Sequence, residues 1–184
     1  MARTEHHPTG LIHYNPRLSS GGYTLFTANT NYAFLIDPKG RFVHQWRHNR
    51  GITNAELLPN GNLLALTMPS PKVKGQRGLN GQAEACIELN WESDLVWEYK
   101  DPWIHHDLKR LPNGNTLLLR WESLPKSLAS RVKGGYREKD DDKHGMLGDA
   151  VLEVTPDGDI VHNWKSWHHL DPSVDIICPL DDRR

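Results

Sequence analysis

No stretch of the 184-residue chain approaches the ~20 consecutive apolar residues of a membrane-spanning helix, and membrane insertion through such a segment is not expected. The opening residues, MARTEHHPTGLIHYNPRLSS, also lack the apolar core of a secretory signal. As written the chain is expected in the cytoplasm, or in a secreted or periplasmic compartment if a leader precedes Met1. Neither sign of charge dominates, with 22 basic against 23 acidic residues, so there is no electrostatic footprint for nucleic acid or for a polybasic membrane contact. Cysteine is scarce: Cys86 and Cys178 stand alone without CxxC spacing, which carries little information and favours buried thiols over a disulfide.

What the chain does have is turn chemistry and tryptophan: 15 Gly, 12 Pro and seven Trp fit a sheet protein with many tight connections. One unit organises it. Residues 103–119, WIHHDLKRLPNGNTLLL, read as strand, turn, strand, because Pro112 fixes φ while Asn113, Gly114 and Asn115 tolerate a reversed backbone between strand-forming runs. The same hairpin occurs upstream as ITNAELLPNGNLLALT, with Pro59 53 residues before Pro112. A second hairpin repeats in phase: Phe42 and Leu95 are also 53 residues apart, and Leu95 and Ile160 are 65 apart. The longer spacing is absorbed by the connection at residues 121–148. Repetition of all-β units at this length predicts a propeller or a related β array.

Strands are expected at residues 23–28, 32–36 and 42–46, then 52–58, 62–67, 85–89 and 95–99, then 104–111, 115–120, 150–154 and 160–165. These group into blades at about 21–48, 52–100 and 103–167, preceded by an N-terminal arm, residues 1–20, in which His6 and His7 are solvated. The first blade lacks its innermost strand. Three blades do not close a ring for which about four to eight are usual, so the expected architecture is an incomplete all-β propeller, residues 21–184, that relies on missing C-terminal blades or on self-association. Residues 121–148 are expected to be a solvated loop, with a lid over a channel mouth as the alternative, and residues 168–184 either a connection or a further inner strand. Trp46, Tyr99 and Trp164 recur at one blade position and are expected in the core.

The sharpest chemical feature is His105-His106-Asp107, since the preceding repeat has Ile52-Thr53-Asn54 there and the repeat itself does not require imidazoles. Strand alternation would send His105 and Asp107 to one side and His106 to the other, with Asp107 able to fix an imidazole tautomer. Three readings of the motif stand side by side: hydrogen-bonded caps of an inner strand; a metal site, against which adjacent strand residues and the absence of HxH or HExxH spacing argue; and an anion or transfer site, which His168 and His169 would join if the last connection turns inward. Arg120 can reach a tetrahedral anion or form an ordinary ion pair. Trp103, Trp121 and Trp167 either line an aromatic-substrate site or pack between blades.

In order along the chain, GGYTLFTANTNYAFLIDPKGRFVHQW, HHDLKRLPNGNTLLLRWE and DAVLEVTPDGDIVHNWKSW resemble the N-terminal half of the bacterial arylsulfotransferase-like propeller family, over roughly residues 10–170. The resemblance implies a six-bladed ring with an axial site. It also implies sulfuryl transfer from a phenolic sulfate to a phenol through a transiently sulfated histidine, without a nucleotide donor or any cofactor. The absence of a phosphate-binding P-loop agrees with that. By resemblance, His105, His106 and Arg120 bind the sulfate and Asp107 orients, while the nucleophilic histidine falls beyond Arg184, leaving this stretch alone inactive. A non-catalytic propeller serving as a binding platform is the alternative.

Overall fold

The computed structural model describes residues 10–70, 81–132 and 145–175. His6, His7, the charged run at residues 137–143 and Cys178 lie outside them. Among the described residues, eleven strands form three antiparallel sheets that follow one another along the chain. The first sheet is β1 (Thr24–Thr27), β2 (Thr30–Ile36) and β3 (Phe42–Ile52). The second is β4 (Asn54–Leu57), β5 (Leu63–Leu66), β6 (Ala85–Leu89) and β7 (Leu95–Lys100), and the third is β8 (Ile104–Arg110), β9 (Thr116–Ser123), β10 (Leu147–Val154) and β11 (Ile160–Lys165). Helix is confined to α1 (Lys126–Ala129) and a 3-10 turn at Ser166–His168 among the described residues. No described helix is long and apolar enough to cross a membrane.

The turns account for the repeat. In each PNGN hairpin the glycine takes a positive φ, +87° at Gly61 and +89° at Gly114, and the strands close with Leu58 N–H donating to Asn62 O and Leu111 N–H to Asn115 O, both at 2.8 Å. In the second hairpin type Gly40, Ser93 and Gly158 all take positive φ. Ser93 does so without glycine's freedom, an uncommon strain for a side-chain-bearing residue. Side chains repeat as well: Asn62 Nδ2 donates to Glu88 Oε1 at 2.7 Å, and its counterpart Asn115 Nδ2 donates to Glu153 Oε1 at 2.6 Å.

Packing follows from strand parity. The run Leu63-Leu64-Ala65-Leu66 is apolar at every position because the second sheet is covered on both faces. Leu63, Ala65, Ala85, Ile87 and Leu89 meet Ala33, Leu35 and Trp46 of the first sheet. Leu64, Leu66 and Cys86 meet Ile104, Leu108, Leu118, Leu152 and Val154 of the third. Trp46 is fully buried and Tyr99 partly so, whereas Trp164 is 38% exposed, contrary to the expected core position. The reason is local: Trp46 and Tyr99 have a following sheet to pack against, and Trp164 has none among the described residues. The connection after β9 also departs from a simple loop, since α1 occupies its start.

Candidate functional site

The third sheet opens at Asp101, whose Oδ1 accepts the Trp103 N–H at 2.9 Å and whose Oδ2 accepts Arg120 Nε at 2.7 Å. This fixes the entry of β8 against the end of β9. The expected alternation at His105-His106-Asp107 then fails. Ile104 pairs with Arg120 and Leu108 with Leu118, so four residues of advance on β8 face only two on β9, and the excess is taken up by a bulge in which His106 has φ +54°. His105 is buried, and His106 and Asp107 are both exposed. The displaced backbone is paired elsewhere: His106 N–H donates to Gly81 O at 2.8 Å, and Gln82 bridges to His105.

Around this bulge the side chains are fixed. The His105 ring stacks on Trp121 with centroids 4.1 Å apart and planes 18° apart, and stands edge-on to His106. The two Nδ1 atoms are 3.0 Å apart, so one ring donates and the other accepts. On the far side, His105 Nε2 lies 3.3 Å from Asp149 Oδ1. That is ion-pair range but off the line of an N–H bond, and the buried Nε2 has no aligned hydrogen-bond partner. Burial holds the His105 pKa below its ordinary value, with the charge of His106 adding to the effect, while Asp149 and the Arg120 backbone oppose it. The neutral imidazole is therefore favoured. In the tautomer that carries the proton on Nε2, toward the carboxylate, His105 Nδ1 would be the acceptor and His106 Nδ1 the donor. The lone pair of the His–His–Asp series then sits on His106 Nε2.

Asp107 does not touch either ring through its recorded hydrogen bonds. Its Oδ1 accepts Leu108 N–H at 2.8 Å and Asn54 Nδ2 at 3.3 Å, and the carboxylate facing His105 is that of Asp149. Arg120 pairs with Asp101 and also with Glu122, at 2.9 Å. Burial raises the Glu122 pKa, but hydrogen bonds from Asn163 and Lys165 and the charges of Lys165 and Arg120 outweigh it and keep the net shift downward. Trp103, Arg120, Trp121, Glu122 and Ser123 line an open cavity of about 350 Å³. Trp167 instead packs in the interior beside Gly148, and His169 and His168 take ring contacts from Trp164 and Trp167. No group of three His, Cys, Asp or Glu side chains among the described residues is placed to hold a metal ion.

Gly81, Asn54 and Asp149 were not legible as site residues from local sequence. Gly81 lies far from the motif in sequence, yet a Cβ there would sit 2.3 Å from His106 Nε2. Asp149 follows from extending the β9–β10 register, in which it pairs with Trp121.

Comparison with known proteins adds the following. No curated protein matches the chain. A solved structure, described as a protein of unknown function from Bacteroides caccae, is similar over 92% of this chain and 53% of its own, with 17% identity and a TM-score of 0.45. The chain thus spans about half the length of that protein. The family model described as Arylsulfotransferase (ASST) matches residues 27–183. That match runs from the end of β1 through β2 to β11 and includes the histidine bulge, and the chain belongs to the arylsulfotransferase family.

Proposed function

We propose that this chain contributes to a phenol-to-phenol sulfuryl transferase, and that its three sheets are consecutive blades of a propeller with the His105–His106 bulge beside the axis. Family membership supports the reaction class, and the observation that carries the residue assignment is the Asp149–His105–His106 series ending in a solvent-facing imidazole. Imidazole is a competent base near neutral pH. In the acceptor half of the transfer, His106 Nε2 takes the proton of the incoming phenol as its oxygen forms the new S–O bond and the bond from sulfur to its carrier breaks. The resulting imidazolium, like Arg120, can donate to the sulfuryl oxygens and stabilise the charge on them. Trp121 and Trp103, lining the adjoining cavity, offer aromatic surface for the phenol ring.

Blade-like succession is favoured by contacts that recur between sheets at the repeat offset. His44 Nε2 meets Trp91 O at 2.9 Å across the first boundary, and Trp97 Nε1 donates to Pro156 O at 2.7 Å across the second. His44 and Trp97 are 53 residues apart, and Trp91 and Pro156 are 65 apart.

The test uses the polypeptide as the cell makes it. A coloured phenol should be released from its sulfate ester, faster when a second phenol is present. His106→Gln should remove at least two orders of magnitude of acceptor-dependent rate, in the usual range for a lost acid–base group. Asp149→Asn should shift the pH profile while retaining substrate binding. Folded protein that releases no phenol with or without acceptor rules the reading out.

A further inference from the structure

We propose that Asp101 is a positioning residue of the candidate site: its carboxylate sets the Arg120 guanidinium against the two tryptophans of the adjoining cavity, so that Arg120 meets an aryl sulfate as an oriented donor rather than as a loose charge. The inference rests on the transfer reading for the identity of the ligand, and adds to it the residue that places Arg120.

Asp101 is itself held firmly. It lies between β7 and β8, where its N–H donates to Glu84 O, just before β6, and its carbonyl accepts the Ile104 N–H, both at 3.2 Å. The residue is buried, and its two carboxylate oxygens divide the work. Oδ1 takes the Trp103 N–H and Oδ2 takes Arg120 Nε, while Trp103 O in turn accepts the Trp121 N–H at 3.0 Å. Three of the described residues that line the cavity, Trp103, Arg120 and Trp121, therefore hang from one side chain. Glu122, another of them, faces Arg120 Nη1 at 2.9 Å, so the planar guanidinium is gripped at two of its nitrogens. The Arg120 side chain nevertheless stays 26% exposed.

The repeat does not demand this pair. In the preceding repeat, 53 residues back, the same places hold His48 and Thr67, which cannot form an ion pair, and Thr67 Oγ1 donates to Ala85 O instead. The pair is thus added in the repeat that also carries His105-His106-Asp107. Stability does not explain it either. Drawing a carboxylate and a guanidinium out of water costs about as much as their attraction returns, and an apolar pair would serve packing as well. What the ion pair supplies is direction: a guanidinium bound at Nε has its plane fixed, and the same charge on lysine would not.

The test uses the polypeptide as the cell makes it and reads binding before turnover. In calorimetric titrations with para-nitrophenyl sulfate, Asp101→Asn should raise the dissociation constant about tenfold, in the range for a hydrogen bond between charged groups. The amide keeps an oxygen for the Trp103 N–H but sets its NH2 against Arg120 Nε, donor against donor. Arg120→Gln should weaken binding at least as far, and adding Asp101→Asn to Arg120→Gln should change nothing more, because the anchor acts only through the guanidinium. A merely structural Asp101 would give effects that multiply. Arg120→Lys keeps the charge without the planar fork and should bind as poorly as Arg120→Gln, which decides the matter should Asp101→Asn not fold. Wild-type affinity in Asp101→Asn or in Arg120→Lys, or multiplying effects in the double variant, overturns the inference, as does a wild-type protein that does not bind the ester. Binding without release of phenol by the wild type instead ends the transferase reading and leaves the affinities of the variants to decide the role of Asp101.

Discussion

Asn54 donates its side-chain N–H to Asp107 Oδ1 at 3.3 Å across the boundary between the second and third sheets, although the two residues hold the same place in successive repeats. Each also turns the same oxygen onto its neighbour's backbone, Asn54 Oδ1 accepting from Ala55 N–H and Asp107 Oδ1 from Leu108 N–H, both at 2.8 Å. The geometry is one motif used twice. What differs is that Asn54 has spare N–H donors, and Nδ2 also reaches the His106 carbonyl at 2.9 Å. Asparagine in one repeat and aspartate in the next therefore tie the bulge of β8 to the sheet before it.

Substituting Asn54 tests that tie. Asn54→Ala removes this donor from the exposed His106 carbonyl and should cost about 0.5–1 kcal/mol in urea unfolding, the lower part of the range for a hydrogen bond that water can replace. Asn54→Asp should cost more at neutral pH, since it sets a second carboxylate against Asp107. The difference between the two variants should shrink as the pH is lowered and the carboxylates protonate. Equal losses at every pH would mean that Asp107 does not sense residue 54.

Gly81 gives a steric test of the same bulge. It combines a φ of +78° with a site where a Cβ would lie 2.3 Å from His106 Nε2, so Gly81→Ala must both strain the backbone and push the imidazole away. The expected outcome is a loss of roughly 1–2 kcal/mol in stability from the backbone term alone. A shift in the His106 ring resonances should accompany it. Gly145→Ala, also at positive φ but with open space around its Cβ, is the control: it should strain the backbone without moving that ring.

The sheet array was legible because its signals are local. The strand pattern located β6 and β11 at their observed limits, the Pro-Asn-Gly-Asn turns marked the β4–β5 and β8–β9 connections, and the 53-residue offset placed equivalent side chains in equivalent contacts. The orientation of His105 and His106 was not legible, because alternation assumes one residue on β8 per residue on β9 and the bulge breaks that count. Nor was the exposure of Trp164, since a repeat position predicts burial only where the next repeat is there to supply it. Long-range partners such as Gly81 and Asp149 emerge only once the strands are paired.

Buried histidine makes stability depend on pH in a direction fixed by the shift. The pKa of His105 is lowered from 6.5 by burial, and that of His48 is lowered by burial with a contribution from Arg50. Below about 6.5 the unfolded chain takes up protons that the folded chain resists, so stability falls as the pH drops from there toward the folded-state values and levels off beneath them. Unfolding midpoints across this interval should decline with acidification. His105→Gln and His48→Gln should each flatten part of the decline, and an unaltered slope in both would place its origin elsewhere.

Cys86 predicts the opposite dependence at alkaline pH. Its thiol is fully buried on the face of the second sheet that packs against the third, and burial pushes its pKa up to about 12 from an ordinary value of 9.0. The nearby Arg110 favours the thiolate and Glu88 opposes it, but neither offsets the missing solvation. Between those two values the unfolded chain loses a proton that the folded chain keeps, so this group withdraws stability as the pH rises through that window. Thiolate is also the species that reacts with disulfide reagents. In a Cys178→Ser background the native protein should therefore react with such a reagent only as fast as it opens, with the full thiol released on denaturation. Cys86→Ala should reduce the alkaline slope, leaving the part that comes from Tyr99, whose pKa burial also raises, at a cost of about 1 kcal/mol from the small void it leaves in the packed interior. Rapid labelling under native conditions would show that the second and third sheets separate far more readily than their shared core implies.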